Sequence, residues 1–405
     1  MSPVYVRFVA LFAFASLAAC ASSTGGSGGE VKAVVTDTDA AFRAEAARIR
    51  AAQEAGQPVD WARVANTMEA IVDDRPGFAA AWFNLGVARA AEGDDEAASK
   101  AYRRALAEEP TLSRAAENLA GLLFRSDESA EAIQVLEQAV ANDPAAVGAR
   151  VSLAAHHLSR DRLDDAERLC REALTYDAAN EAAYCVLARA AVLQRRWGRV
   201  ELLAARGFKL NPDMACMHEA LGFAALADRD PTTAARAFGR AIEADPARVR
   251  SWAALADLSM ELRDFGGAAR AYGRVTDLAP ERAAAWVNLG VALKGTGRFR
   301  EAQAAYERAL EADPDLALAH YDLGVLLLRQ LDELDDAERH LRRFLQLASG
   351  EPDPRVFSML EEIEARRQMV LDEPPTEAGE PDEADAGEAQ PEGAVGRPAA
   401  DSARG

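Results

Sequence analysis

The chain has 405 residues, with 46 basic against 66 acidic side chains and a formal charge of -20. So acidic a protein lacks the cationic footprint that nucleic-acid binding requires. The spacing of its four cysteines matches no zinc motif.

The chain opens on a short positive region at Arg7, a 12-residue apolar run from Phe8 to Ala19, and "LAAC" ending at Cys20. The run is too short to span a bilayer. Leu17, Ala18, Ala19 and Cys20 resemble the lipobox of bacterial lipoproteins. That resemblance implies cleavage before Cys20, acylation of its thiol and amine, and Ala21 favouring the outer membrane. Residues 1–19 are therefore read as the signal and residues 20–38, with "ASSTGGSGGE", as a flexible lipid tether. The expected location is the outer membrane, facing the periplasm.

Residues 39–78 read as a degenerate helix pair that keeps phase with the later blocks only at Pro76. From residue 79 the pattern is regular. "AWFNLG" at 81–86 returns as "AWVNLG" at 285–290, an interval of 204 residues, or six times 34. A fixed period of this size signals a repeat array. With blocks beginning at 79, 113, 147, 181, 215, 249, 283 and 317, the seventh place is always leucine, from Leu85 to Leu323. The eighth place is always Gly or Ala, from Gly86 to Gly324, which permits close helix approach. The twentieth is small, and Pro110, Pro144, Pro212, Pro246, Pro280 and Pro314 close their blocks, with Ala178 the exception. Apolar residues at helical spacing on either side of a Gly295 to Arg298 turn make each block two helices.

Trp82, Leu85, Gly86, Ala98, Tyr102, Ala105 and Pro110 resemble the tetratricopeptide repeat (TPR) family. The resemblance implies an all-α, superhelical TPR solenoid of helix-turn-helix repeats, here eight repeats over 79–351, the last with one inserted residue before Ala337. Arg89 and Arg150 depart from the family pattern, each standing where an aromatic is usual. Repeats of this kind bury their apolar faces only by stacking, so atypical ends are expected. Residues 352–370 read as a capping helix with Asp353 as N-cap, Pro354 first, and Val356, Leu360 and Ile363 facing the last repeat. Residues 371–405 hold ten acidic residues against Arg397 and Arg404, the composition of a disordered acidic tail.

Catalytic chemistry finds no candidates. The five histidines, His156, His157, His218, His320 and His340, contain no i, i+4 pair for a metal, and no phosphate loop or nucleophile elbow is present. The expectation is a non-enzyme without cofactor or metal. Cys170 falls in a core column. Cys185 and Cys216 fall on the groove side of adjacent repeats, where pairing in an oxidising compartment stays open.

The family resemblance implies a concave groove lined by the first helices at places two, five, six, nine, twelve and thirteen. Those places hold Phe83, Asn84, Arg114, Asn118, Phe124, Arg125, Arg189, Phe223, Arg250, Asp257, Asn288, Tyr321, Asp322 and Arg329. Asn84 with Asn118, and Asn288 with Asp322, suggest two polar patches able to hold the backbone of an extended peptide. The expected partners are proteins or extended peptides of the cell envelope, with the membrane engaged through the N-terminal lipid. The architecture resembles TPR lipoproteins of gliding motility and the pilotins of type IV pili; a peptidoglycan-complex adaptor has the same architecture. Four lysines against 42 arginines point to a GC-rich genome and tilt the reading toward gliding.

Overall fold

The computed structural model describes residues 37–348 and 353–372, which form helices and no strand. The signal, most of the tether and nearly all of the acidic tail lie outside the described residues. Two helices open the first unit, α1 (Asp37–Glu54) and α2 (Trp61–Asp74). The repeats follow as pairs: α3 (Ala79–Glu92) with α4 (Asp95–Glu108), α5 (Ser113–Arg125) with α6 (Ser129–Asn142), and α7 (Val147–Ser159) with α8 (Leu163–Tyr176). Next come α9 (Glu181–Leu193) with α10 (Trp197–Leu210), α11 (Ala215–Ala227) with α12 (Pro231–Ala244), and α13 (Val249–Glu261) with α14 (Phe265–Leu278). The last pairs are α15 (Ala283–Gly295) with α16 (Phe299–Ala312), and α17 (Ala317–Leu326) with α18 (Leu334–Leu347).

Why the register holds is visible in three columns. At the twentieth place Ala98, Ala132, Ala166, Val200, Ala234, Ala268 and Ala302 are all 0% exposed, so a larger side chain there meets packed neighbours on every side. At the eighth place, a β-carbon on Gly86, Gly222 or Gly290 would come within 2.5–2.6 Å of the ring of Tyr102, Phe238 or Tyr306. Glycine there makes room for an aromatic ring from the second helix. At the fifteenth place the turn takes a left-handed residue in each of the first seven blocks, but only Gly93 and Gly297 are glycines. Asp127, Asp161, Arg195, Arg229 and Arg263 adopt the same conformation at φ of 56 to 64°, against an intrinsic cost of roughly 1–2 kcal/mol each. The packing on either side of the turn dictates the backbone, and the turn residue conforms to it.

The insertion in the eighth block has a structural form. Helix α17 ends in a π-turn at Leu327–Leu331, and the left-handed residue moves one place on, to Asp332. A π-turn absorbs one extra residue without breaking the helix, so Ala337 regains its buried place at 0% exposure.

Neighbouring repeats interlock through the first helix. Helix α5 packs on α7, α7 on α9, α9 on α11 and α15 on α17, while each second helix packs on the first helix of the next repeat. The first helices therefore form one continuous layer of the array. At its start, Thr38 donates to Asp74 at 2.6 Å and Arg75 to Asp39 at 2.8 Å, joining α1 to the end of α2. Val64, Met68, Ile71 and Val72 of α2 are buried, and α2 packs on α3. Among the described residues no helix is long and apolar enough to cross a membrane.

The second unit, residues 350–405, is described only as helix α19 (Pro354–Asp372). Asp353 precedes it and accepts from the Arg355 amide at 3.0 Å, the N-cap arrangement expected from the sequence.

Candidate functional site

The first-helix layer is built on a bond that recurs at the fourth place. Trp82, Trp252 and Trp286 donate their indole N–H to the carbonyls of Pro76, Pro246 and Pro280 at 2.7, 3.0 and 2.9 Å. His218 and His320 do the same through Nε2, to Pro212 and Pro314, both at 3.1 Å. Tyr184 reaches the carbonyl of Ala178 at 3.3 Å, so the bond survives where the proline column breaks. This accounts for the histidines as structural donors. His320 carries its proton on Nε2, so its Nδ1 accepts from Nδ1 of His340 at 2.9 Å. Burial, together with His320 and Arg339 nearby, pushes His340 down to about 4, and its ring is neutral at pH 7.

Arg150, at the fourth place of its block, is only 6% exposed. Its guanidinium lies 5.0 Å from the Tyr176 ring centroid, so a cation over a borrowed ring replaces the usual aromatic. Arg89 turns instead to carboxylates, pairing with Glu69 of α2 and, at 3.0 Å, with Glu92 of its own helix. Cys170 is fully buried, and burial pushes its thiol up to about 12, as expected of a core cysteine.

A second recurring contact defines the groove floor: the fifth place of one repeat faces the second place of the next, 31 residues on. Cys185 and Cys216 form a disulfide in this register, with Cα atoms 5.5 Å apart. Glu219 and Arg250 form an ion pair there at 3.7 Å. Glu117 and Gly148 meet there too, a β-carbon on Gly148 falling 2.2 Å from Oε1 of Glu117. Burial pushes the Glu117 carboxyl up to about 7, with Arg114 opposing weakly.

The residues expected to line the groove divide. Phe83 and Asn84 are 7% and 5% exposed, so they belong to the core rather than to an open surface. The reason is that Phe83 packs on Tyr102, at 6.0 Å between ring centroids. Asn118 donates to the Tyr102 hydroxyl at 3.2 Å, and Asn288 lies near Tyr272, whose hydroxyl donates to Asp257. Asp322 is half-buried 3.7 Å from Lys294 and faces Tyr306 of the preceding repeat. The sixth-place polar residues are thus aligned with the tyrosine of the preceding second helix, and the two peptide-binding amide patches are not formed as free surfaces. Arg125 holds Asp95 at 2.8 Å, Phe124 stacks on His156 at 4.9 Å, and Tyr321 packs on Phe344 at 5.1 Å. Arg329 lies in the π-turn and is exposed.

What the layer does bring together is Arg189, Phe223 and Arg250, from α9, α11 and α13. The Arg250 guanidinium lies 5.2 Å from the Phe223 ring centroid, and Arg189, Arg248 and Arg282 all bear on it electrostatically. Glu219, 6% exposed, is the anion at the centre: Ser251 donates to it at 3.0 Å and Arg248 lies 3.6 Å away. The groove places omitted Arg248 and Arg282 because each stands one residue before its first helix, although that shared position is visible in the repeat alignment.

The family models for the tetratricopeptide repeat match residues 79–112, 117–184, 259–315 and 291–352. This chain carries TPR repeats. Its fold is an all-α TPR solenoid. No curated protein matches the sequence. Among solved structures it is similar to the crystal structure of yeast Tom70, at 16% identity and a TM-score of 0.47, over 85% of this chain and 77% of that one. TPR arrays are protein-interaction scaffolds, and among the described residues no group of His, Cys, Asp and Glu is placed to hold a metal ion.

Proposed function

We propose that the chain is a lipid-anchored TPR scaffold of the bacterial envelope, tethered to the outer membrane through Cys20 and holding protein partners on its first-helix layer. The observation that carries the envelope reading is the Cys185–Cys216 disulfide. Disulfides persist in oxidising compartments such as the periplasm and are rare in the cytosol. An oxidised pair on the repeats fits the lipobox-like "LAAC" at the other end of the sequence. The layer offers mixed charge and half-buried rings, which suits a polypeptide partner.

The machine served is read as the gliding apparatus from genome composition, ahead of type IV pilus assembly or a peptidoglycan-complex adaptor. Membrane fractionation tests the anchor. Cys20→Ala is expected to move the protein from the membrane pellet to the soluble fraction after a salt wash, because among the described residues no helix is long and apolar enough to cross a membrane. Equal pelleting of both forms would remove the lipid anchor from the account.

A further inference from the structure

In a chain of formal charge -20, the Arg250 guanidinium lies over Phe223 and beside Glu219, and three more arginines, Arg189, Arg248 and Arg282, are within electrostatic reach of it. Arg189 is on α9, Arg248 and Arg250 are at the start of α13, and Arg282 is at the start of α15. Two carboxylates oppose them, Glu219 at the centre and Asp245, 3.4 Å from Arg248. Arg248 and Arg250 share those two carboxylates, while Arg189 and Arg282 add two positive charges that have no ion pair of their own among the described residues.

The pairing inside it is also incomplete. Arg250 is half-buried against Phe223, yet its nearest anion is Glu219 at 3.7 Å, beyond hydrogen-bond reach. Glu219 is engaged instead by the Ser251 hydroxyl. The Arg248 Nε is buried with no hydrogen-bond partner. Arg189 and Arg282 are exposed and make no ion pair or side-chain hydrogen bond among the described residues. A partly dehydrated guanidinium without a hydrogen-bonded anion keeps the desolvation cost and lacks the compensating contact. Two further guanidiniums, Arg189 and Arg282, are exposed within electrostatic reach of it, and their planar donor forks match carboxylates. The Phe223 face adds an apolar wall.

We propose that this cluster is the docking subsite for an acidic segment of the partner, taking its Asp and Glu side-chain carboxylates on Arg189, Arg250 and Arg282. Glu219 holds Arg250 and Arg248 in place while the site is empty. The assignment rests on the scaffold reading above, and names the chemistry of its ligand. It does not require the lipid anchor.

The test uses the full chain, acylated and in detergent, with two labelled ten-residue probes carrying amidated C-termini, one of alternating Glu and Ala and one of alternating Gln and Ala. Fluorescence anisotropy at low salt is expected to show the Glu probe binding at least tenfold more tightly than the Gln probe. Arg189→Gln with Arg250→Gln should weaken the Glu probe by roughly tenfold or more, the size expected for losing charge-assisted hydrogen bonds, with helical content unchanged. The Glu affinity should also fall steeply with salt. Equal affinity for the two probes, no binding of either, or Glu binding that survives the double substitution would overturn the proposal. A peptide copied from residues 373–392 that binds the cluster more tightly than the Glu probe would assign the site to the chain's own acidic sequence, and would overturn the assignment to a partner. Loss of membrane anchoring in Cys20→Ala leaves these results untouched, so failure of the envelope reading and failure of this one are separable.

Discussion

The α5–α7 junction and the α9–α11 junction share one backbone register and carry opposite chemistry. In the first, Glu117 lies over Gly148 with its carboxyl pushed up to about 7 by burial. In the second, Cys185 and Cys216 are covalently joined across the same 31-residue interval. The comparison shows that the repeat fixes where two side chains meet and leaves open what they do when they meet. A third copy of the register, Glu219 with Arg250, carries an ion pair and the cationic cluster. The chemical variety of this array sits at junction places, on a scaffold that the core columns hold constant.

The largest expected effect breaks the covalent junction. Reduction, or Cys185→Ala with Cys216→Ala, should lower stability by about 3.7 kcal/mol, the chain-entropy value for a loop closed across a separation of 31 residues. Denaturant melts with and without reductant measure it. No change in midpoint would show that this junction is no stronger than its neighbours.

Next comes the carboxyl junction, and its sign is fixed by linkage. The folded chain holds the Glu117 proton more tightly than the unfolded chain does, since burial raises it from 4.5 to about 7. Its contribution to stability is complete below about pH 4.5 and is lost as pH rises through 7. Glu117→Gln keeps the shape without the charge, and should stabilise the protein at pH 8 by about 1–3 kcal/mol while leaving pH 4 nearly unchanged. Melting temperatures of both forms from pH 4 to 8 check this; parallel curves would contradict it.

The smallest effect concerns the polar bond between repeats. Asn118→Ala removes the donor to Tyr102, and should cost about 1 kcal/mol with no effect on the cationic cluster. A loss of partner binding with unchanged stability would instead restore the amide to a peptide-binding role.

Much of the fold was legible because each core column repeats every 34 residues and reports packing within a repeat. Leu85, Gly86 and Ala98 belong to such columns, and so does the shift before Ala337, which the structure resolves as a π-turn. The site was less legible. Contacts between repeats join places 31 residues apart, an offset set by how one helix pair leans on the next, and no column of a one-dimensional alignment contains it. For this reason the sequence leaves the pairing of Cys185 with Cys216 open, and it does not assign Glu219, a groove-place residue whose partners lie 31 and 32 residues on. Asn118 illustrates the converse error: its place pointed to a groove, but the tyrosine of the preceding repeat was close enough to claim its amide. Arg248 and Arg282 lie just outside the helices and escaped a reading confined to helical places.

The central claim is that partners dock on the first-helix layer, and site-specific photo-cross-linking in intact envelopes tests it most directly. One photoreactive amino acid is placed at position 284, exposed at the second place of α15, and in a separate protein at position 202 on α10, where Leu202 is 65% exposed. The account predicts discrete adducts from position 284, diminished when Arg189 and Arg250 are changed to Gln, and none from position 202. Adducts from position 202 with none from position 284 would contradict it.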